Sequence, residues 1–301
     1  MTMLRFTLRS WSGRLGAAFL GIVVLAVALS YVWVPYNPER LVPGDKWMGM
    51  SVDHWFGTDN GGRDVFSFVI VGARVSLFVA LGSAVVAAIV GLTLGVASVI
   101  LPRLAGESLA YFVDVLLAIP TLVFALVLVG LFKGSLFIVV IAIGVTSGFA
   151  LARIVKGEVA RVMTQDYILA AQSSGTSTWR TVRRHVLPNI APIAIVQLSI
   201  IAGFAILAEA ALSYLGVTSR SRPTLGYLLS ELQQTVTIHP WTILFPGLML
   251  VIATLGFNLL GDGLRDAMDP RLRTSAATTA GRREPPPPAA PDPTLLAQEV
   301  R

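Results

Sequence analysis

The stretch Val75–Ile100 reads VSLFVALGSAVVAAIVGLTLGVASVI and contains no charged residue. As a helix it is about 39 Å long at 1.5 Å per residue, enough to cross the ~30 Å hydrocarbon core of a bilayer and to tilt or to end outside it. It lacks the alternation of a barrel strand, so helix is the only spanning form it fits. Five further runs share its character, near Leu15–Val34, Leu109–Phe132, Leu136–Ile154, Ile190–Val217 and Trp241–Leu260. The reading is an all-α polytopic membrane protein with six transmembrane helices. Composition agrees. In 301 residues, 54% are hydrophobic and 13% charged, with mean hydropathy +0.73. That is about half the charge of a soluble domain, which excludes a water-soluble globule and a disordered or fibrous chain. The absence of cysteine excludes a disulfide framework, a zinc-thiolate site, an iron–sulfur site and a Cys nucleophile.

The first run opens on Arg5, Arg9 and Arg14 like a signal peptide. Its apolar part is too long for an h-region, and Tyr31, Val32, Trp33 and Val34 stand where a small-x-small cleavage site would be, so it reads as a retained helix. Lys and Arg set the topology. With the N-terminus inside, thirteen lie on inside flanks and seven on outside flanks, so both termini are expected in the cytoplasm. The formal charge of +6 then reflects basic cytoplasmic loops rather than a nucleic-acid partner. The chain divides into a cytoplasmic N-terminus (1–14), a transmembrane region (15–273) with an outside loop (35–72) and an inside loop (156–189), and a tail (274–301). The tail holds Pro285 to Pro288 and many alanines, which build no core, and it reads as disordered.

The inside loop contains Thr164-Gln165-Asp166-Tyr167-Ile168-Leu169-Ala170-Ala171-Gln172-Ser173-Ser174-Gly175. Thr164 is placed to cap a helix, Asp166 suits the positive end of its dipole, and Gly175 is a natural terminator. A second start follows at Thr176 or Ser177. Trp179, Val182 and Val186 form one apolar stripe, Arg180, Arg183 and Arg184 lie mostly off it, and Pro188 is expected to stop the run. The residues alone leave two readings open: an amphipathic helix on anionic lipid, or a docking element for a cytosolic partner.

Leu169-Ala170-Ala171, three residues, Gly175, nine residues, then His185-Val186-Leu187-Pro188 resembles the EAA loop of ABC-importer permeases. That pattern is EAA, three residues, Gly, nine residues, an apolar residue, any residue, Leu-Pro. Leu169 replaces the Glu and His185 stands at the usually apolar position, as is common in the peptide-importer branch. Other segments are similar to that branch: Pro35-Tyr36-Asn37-Pro38, His54 through Asp64 ("H-x-x-G-T-D-x-x-G-R-D"), Glu209 through Gly216, and Asn258 through Arg273. The chain therefore looks like the C-type permease subunit of a dipeptide, oligopeptide or nickel importer, with the type I permease fold, in the bacterial inner membrane.

The resemblance implies a heterodimer with a B-type permease, two cytosolic ATPases and an extracytoplasmic peptide-binding protein. It places Leu169, Ala170, Ala171, Gly175, His185, Leu187 and Pro188 in the loop that couples ATP hydrolysis to movement, with Ala170, Ala171 and Gly175 small enough for close approach. The chain has no G-x-x-x-x-G-K-[ST] loop, so ATP and Mg would belong to the ATPase partners, and no catalytic residue or cofactor is expected in this subunit. Closure of the ATPases would tilt the fourth and fifth spans as a rigid body.

Several residues invite other readings. Glu209, about 28 Å into the fifth span, either pairs structurally or lines the translocation path, where it would meet a peptide ammonium. Asp114 and Asp262 lie near the inner boundary. Asp59 through Asp64 lacks the register of a calcium loop, so Thr58 or Asp59 is read instead as the cap of a short helix ahead of the second span. Pro120 and Pro246 are expected to kink their spans. Gly82, Gly91 and Gly95 are spaced for close contact, with a dimer seam as the reading. His54, His185 and His239 do not form a metal set. The competing function is an ion- or proton-coupled secondary transporter, which should show inverted repeats and midplane charges.

Overall fold

The computed structural model describes Thr7 and residues 10–132, 134–218 and 222–268, with the side chain of Gln172 left aside. One unit runs to Ala267; a second, residues 268–301, holds the tail, which lies outside the described residues apart from Met268. The elements are α1 (Trp11–Val32), α2 (Val65–Ile100), α3 (Arg103–Leu117), α4 (Thr121–Leu131), α5 (Leu136–Met163), α6 (Asp166–Ser173), α7 (Thr178–Thr181), α8 (Leu187–Tyr214), α9 (Leu225–Leu232) and α10 (Pro240–Met268). Among the described residues there is no strand, only a bridge between Thr58 and Asp64. Five helical runs are long and apolar enough to cross a membrane, α8 being counted from Thr178; α3 and α4, bent by 81°, make a sixth crossing if taken as one.

Consecutive crossings alternate in direction. The start of α1, the segment 164–186 and the end of α10 therefore share one end of the bundle. The segment 33–64 and α9 share the other.

Glycine sets how closely the helices approach. A Cβ on Gly82 would lie 2.9 Å from Val140, on Gly144 2.5 Å from Val86, on Gly148 2.7 Å from Val90, on Gly91 2.6 Å from Leu151 and on Gly95 2.6 Å from Val155. The partner numbers rise together, so α2 and α5 run parallel, each inserting branched side chains over the other's glycines. This corrects the expected role of Gly82, Gly91 and Gly95. They form an internal α2–α5 seam, not a seam between subunits. α1 and α10 pack antiparallel in the same manner, Gly16 against the Leu260 backbone and Gly256 against Leu20.

Other boundaries differ from expectation for local reasons. α2 begins at Val65, ten residues before the apolar run, because Asp64 caps it by accepting from the Ser67 N–H at 2.7 Å. The outside loop expected over 35–72 thus ends at Asp64, and the inside loop expected from 156 begins only after Met163. Pro120 does not kink a continuous helix; it opens α4 after a break, since its ring prevents α3 from continuing. Pro246 stays within an unbroken α10. Pro188 does not stop its run either. Val182–Val186 widens to a π turn that leads directly into α8, and Pro188 falls in the first turn of α8. The widened ladder is where a helix can take in a residue with no N–H.

Candidate functional site

The segment 164–189 folds on a buried seat. Ile168, Val182 and Val186 are fully buried and cluster with Val159 and Val162 of α5 and Ile190 of α8. Thr164 does not cap α6 as expected; its hydroxyl donates to the Arg161 carbonyl at 3.0 Å and closes α5. Gly175 takes φ +79°, and the Thr176 N–H reaches the Ala171 carbonyl at 3.1 Å, the geometry that ends a helix in a left-handed residue. The expected stripe divides: Val182 and Val186 face inward while Trp179 is 66% exposed. Tyr167 joins the two halves, accepting from the Asn189 amide at 2.7 Å and meeting the His185 ring edge-on at 6.3 Å. His185 is thereby brought beside α6, which carries Leu169, Ala170 and Ala171, and Leu187 packs on the cluster that holds Ile168, while Pro188 is exposed. Tyr167, Leu169, Ala170, Trp179, Arg180, Arg183 and Arg184 are left exposed on one elbow. Tyr167 and Asn189 are 22 positions apart, and nothing in the sequence marks them as a pair.

At the opposite end, residues 54–64 form a hydrogen-bonded cap. Asp59, expected to cap a helix, accepts instead from the Gly61 N–H (2.7 Å), the Arg63 N–H (2.9 Å) and Arg63 Nε (2.6 Å). Arg63 also pairs with Glu231 of α9. Burial disfavours the Arg63 charge, but Asp59 and Glu231 outweigh it and hold the guanidinium pKa above its ordinary value. Burial, with Glu231 beside it, raises the Tyr227 phenol. Asp64 pairs with His54 at 3.0 Å besides capping α2. Phe56 stacks on Phe245 at 3.8 Å and Trp47 on His239 at 4.7 Å, fixing the cap to α10 and to its approach segment. Asp64→Ala would leave the buried Ser67 N–H and His54 without their partner and should cost about 2–3 kcal/mol, read as a lower thermal midpoint in detergent. An unchanged midpoint would remove the cap from the stability account.

Glu209 lies about 33 Å along α8 from Leu187 and is fully buried. Its Oε1 accepts from the Ser213 hydroxyl at 2.6 Å, and Ser213 accepts in turn from Thr218 at 2.8 Å. Its Oε2 is buried and meets the geometric criteria for a hydrogen bond with none of the described residues. The residue borders a cleft of about 370 Å³ shared with Val75, Phe78, Ser135 and Arg222. It is not part of the elbow.

Five to six apolar crossings with an amphipathic elbow between two of them define a multi-pass membrane protein. The sequence profile "Binding-protein-dependent transport system inner membrane component" matches residues 87–274. The chain is 38% identical over 265 residues to the dipeptide transport system permease protein DppC of Alkalihalophilus pseudofirmus, covering 85% of this chain and 87% of that one. It is 36% identical to the oligopeptide transport system permease protein OppC of Bacillus subtilis, covering 90% and 89%. It is 34% identical to the glutathione transport system permease protein GsiD of Pectobacterium atrosepticum, covering 84% and 85%. In fold it resembles a chain of the inward-facing MetNI methionine ABC transporter, with TM-score 0.56 and 18% identity over 67% of this chain and 97% of that one. The protein belongs to the binding-protein-dependent transport system inner-membrane components. It is a multi-pass inner-membrane permease with an ABC-importer fold. The secondary-transporter reading finds no support in these comparisons.

Proposed function

We propose that this permease is the C-type subunit of a peptide importer. It forms the membrane pathway with a B-type permease, receives peptide from an extracytoplasmic binding protein, and is driven by cytosolic ATPases that seat on the 164–189 elbow. The observation that carries this is the elbow itself: buried Ile168, Val182 and Val186 hold it to α5 and α8, while Leu169, Ala170 and Trp179 face outward with basic residues beside them. The wide relatives named for dipeptide and oligopeptide transport support the substrate class. The balance of thirteen basic residues against seven supports an elbow and both termini in the cytoplasm. Leu169, Ala170, Ala171, Gly175, His185, Leu187 and Pro188 then form or brace the contact, and ATPase closure pushes α5 and α8 as one body, since the elbow is continuous with α8.

Glu209 lines the pathway in this reading. Glu209 and Arg222 border the same cleft, so a carboxyl group and a guanidinium stand ready for the ammonium and carboxylate ends of a peptide. The test is ATP-driven peptide uptake by the reconstituted complex. Glu209→Gln should lower uptake about tenfold with assembly intact; unchanged uptake would leave Glu209 a structural residue, and no ATP-dependent uptake by the wild-type complex would refute the function.

A further inference from the structure

At the elbow end of the bundle, α3 meets α5 over a cleft of about 90 Å³ bordered by Ser98, Val113, Asp114, Arg153 and Lys156. We propose that this cleft holds the zwitterionic phosphate–ammonium headgroup of an aminophospholipid. Arg153 and Lys156 lie about 26 and 30 Å along α5 from Leu136, so if α5 stands upright they reach the hydrocarbon boundary, where lipid phosphates lie. They are three residues apart, hence on neighbouring turns of one face.

Neither Arg153 nor Lys156 makes an ion pair with any described residue, although Arg161, further along α5, pairs with Glu158 at 2.7 Å and Arg103 pairs with Glu107 at 2.9 Å. Asp114 is likewise unpaired, yet it borders the same cleft. Two cations and one carboxylate around one small space match a phosphate joined to an ammonium. A purely anionic headgroup would face Asp114 with nothing to offer it, and a free cation would face two bases. The Ser98 hydroxyl hydrogen is already donated to the Leu94 carbonyl at 2.7 Å, so its oxygen is left to accept from the ammonium. Arg153 supplies the planar fork that phosphate favours, and Lys156 a second donor.

An apolar surface lies beside the cleft. α3 turns Leu104, Tyr111, Phe112 and Val115 outward. An apolar strip next to a headgroup-sized cleft gives the acyl chains a surface, which distinguishes a lipid from a soluble phosphoethanolamine. The site needs only the membrane reading and is independent of peptide as substrate.

The test is native mass spectrometry of the purified full-length permease with its partners, titrated separately with phosphatidylethanolamine, phosphatidylcholine, phosphatidylglycerol and soluble phosphoethanolamine. Phosphatidylethanolamine should be retained about fivefold better than either other lipid, because only its ammonium carries N–H groups for Asp114. Asp114→Asn should erase the preference over phosphatidylcholine. The double variant Arg153→Gln with Lys156→Gln should lower retention of all three lipids about tenfold, while Arg153→Lys keeps most of it. The same thermal midpoint in each variant shows that the fold is retained. Equal retention of the three lipids, variants that change nothing, or soluble phosphoethanolamine binding without lipid retention would each overturn the proposal.

Discussion

Gly175→Trp is expected to abolish peptide uptake while leaving the amount of permease in the membrane unchanged. Gly175 holds φ +79° and nothing lies within 4 Å of where a Cβ would be. Among the described residues a Cβ there meets open space, and the backbone cost is about 1–2 kcal/mol of left-handed strain in an exposed turn. That is too little to unfold a bundle held by the α2–α5 and α1–α10 seams. A large side chain there would instead stand in whatever seats on the elbow. Gly175→Asn, which tolerates the same backbone, separates the two costs and should retain most uptake. The measurement is uptake together with immunodetected membrane level; normal uptake with Gly175→Trp would refute the coupling role.

The opposite pattern is expected at the seam. Gly148→Leu should deplete the permease from the membrane, because a Cβ at that position already lies 2.7 Å from Val90 Cβ and 3.3 Å from the Ala87 backbone. Overpacking a seam whose neighbours sit on both flanks costs about 3 kcal/mol or more. Pairing Gly148→Ala with Val90→Ala should recover much of the level by vacating the space the new methyl needs. Gly21→Leu on α1 should be silent, as its Cβ would meet nothing within 4 Å. Membrane level measured across this series checks the account; a normal level for Gly148→Leu would show that α2 and α5 do not pack this closely.

The membrane class and the elbow were legible in the sequence for a physical reason. A helix in lipid must be apolar along most of its length, so Val75–Ile100 declares itself without reference to anything else. Gly175 likewise declares a helix end through its own backbone freedom. Properties that depend on a distant neighbour were not legible. The spacing of Gly82, Gly91 and Gly95 announces close approach but not to which helix, and the answer lies in Val140, Leu151 and Val155. Asp59 reads as a cap from its position, yet Arg63 four residues on claims its carboxylate. Pro188 reads as a stop, and only the π turn before it shows how the helix continues. Glu209 could be found by its depth in an apolar run, but its bond to Ser213 and its cleft could not.

The central claim is that a cytosolic ATPase seats on the elbow. The chain contains no cysteine, so Ala170→Cys supplies a single thiol on the exposed face of α6. Thiol-directed cross-linking in membranes carrying the whole transporter should join this position to a P-loop ATPase subunit. The account is contradicted if the thiol forms no adduct with any ATPase and is modified instead by a membrane-impermeant reagent added from outside the cell.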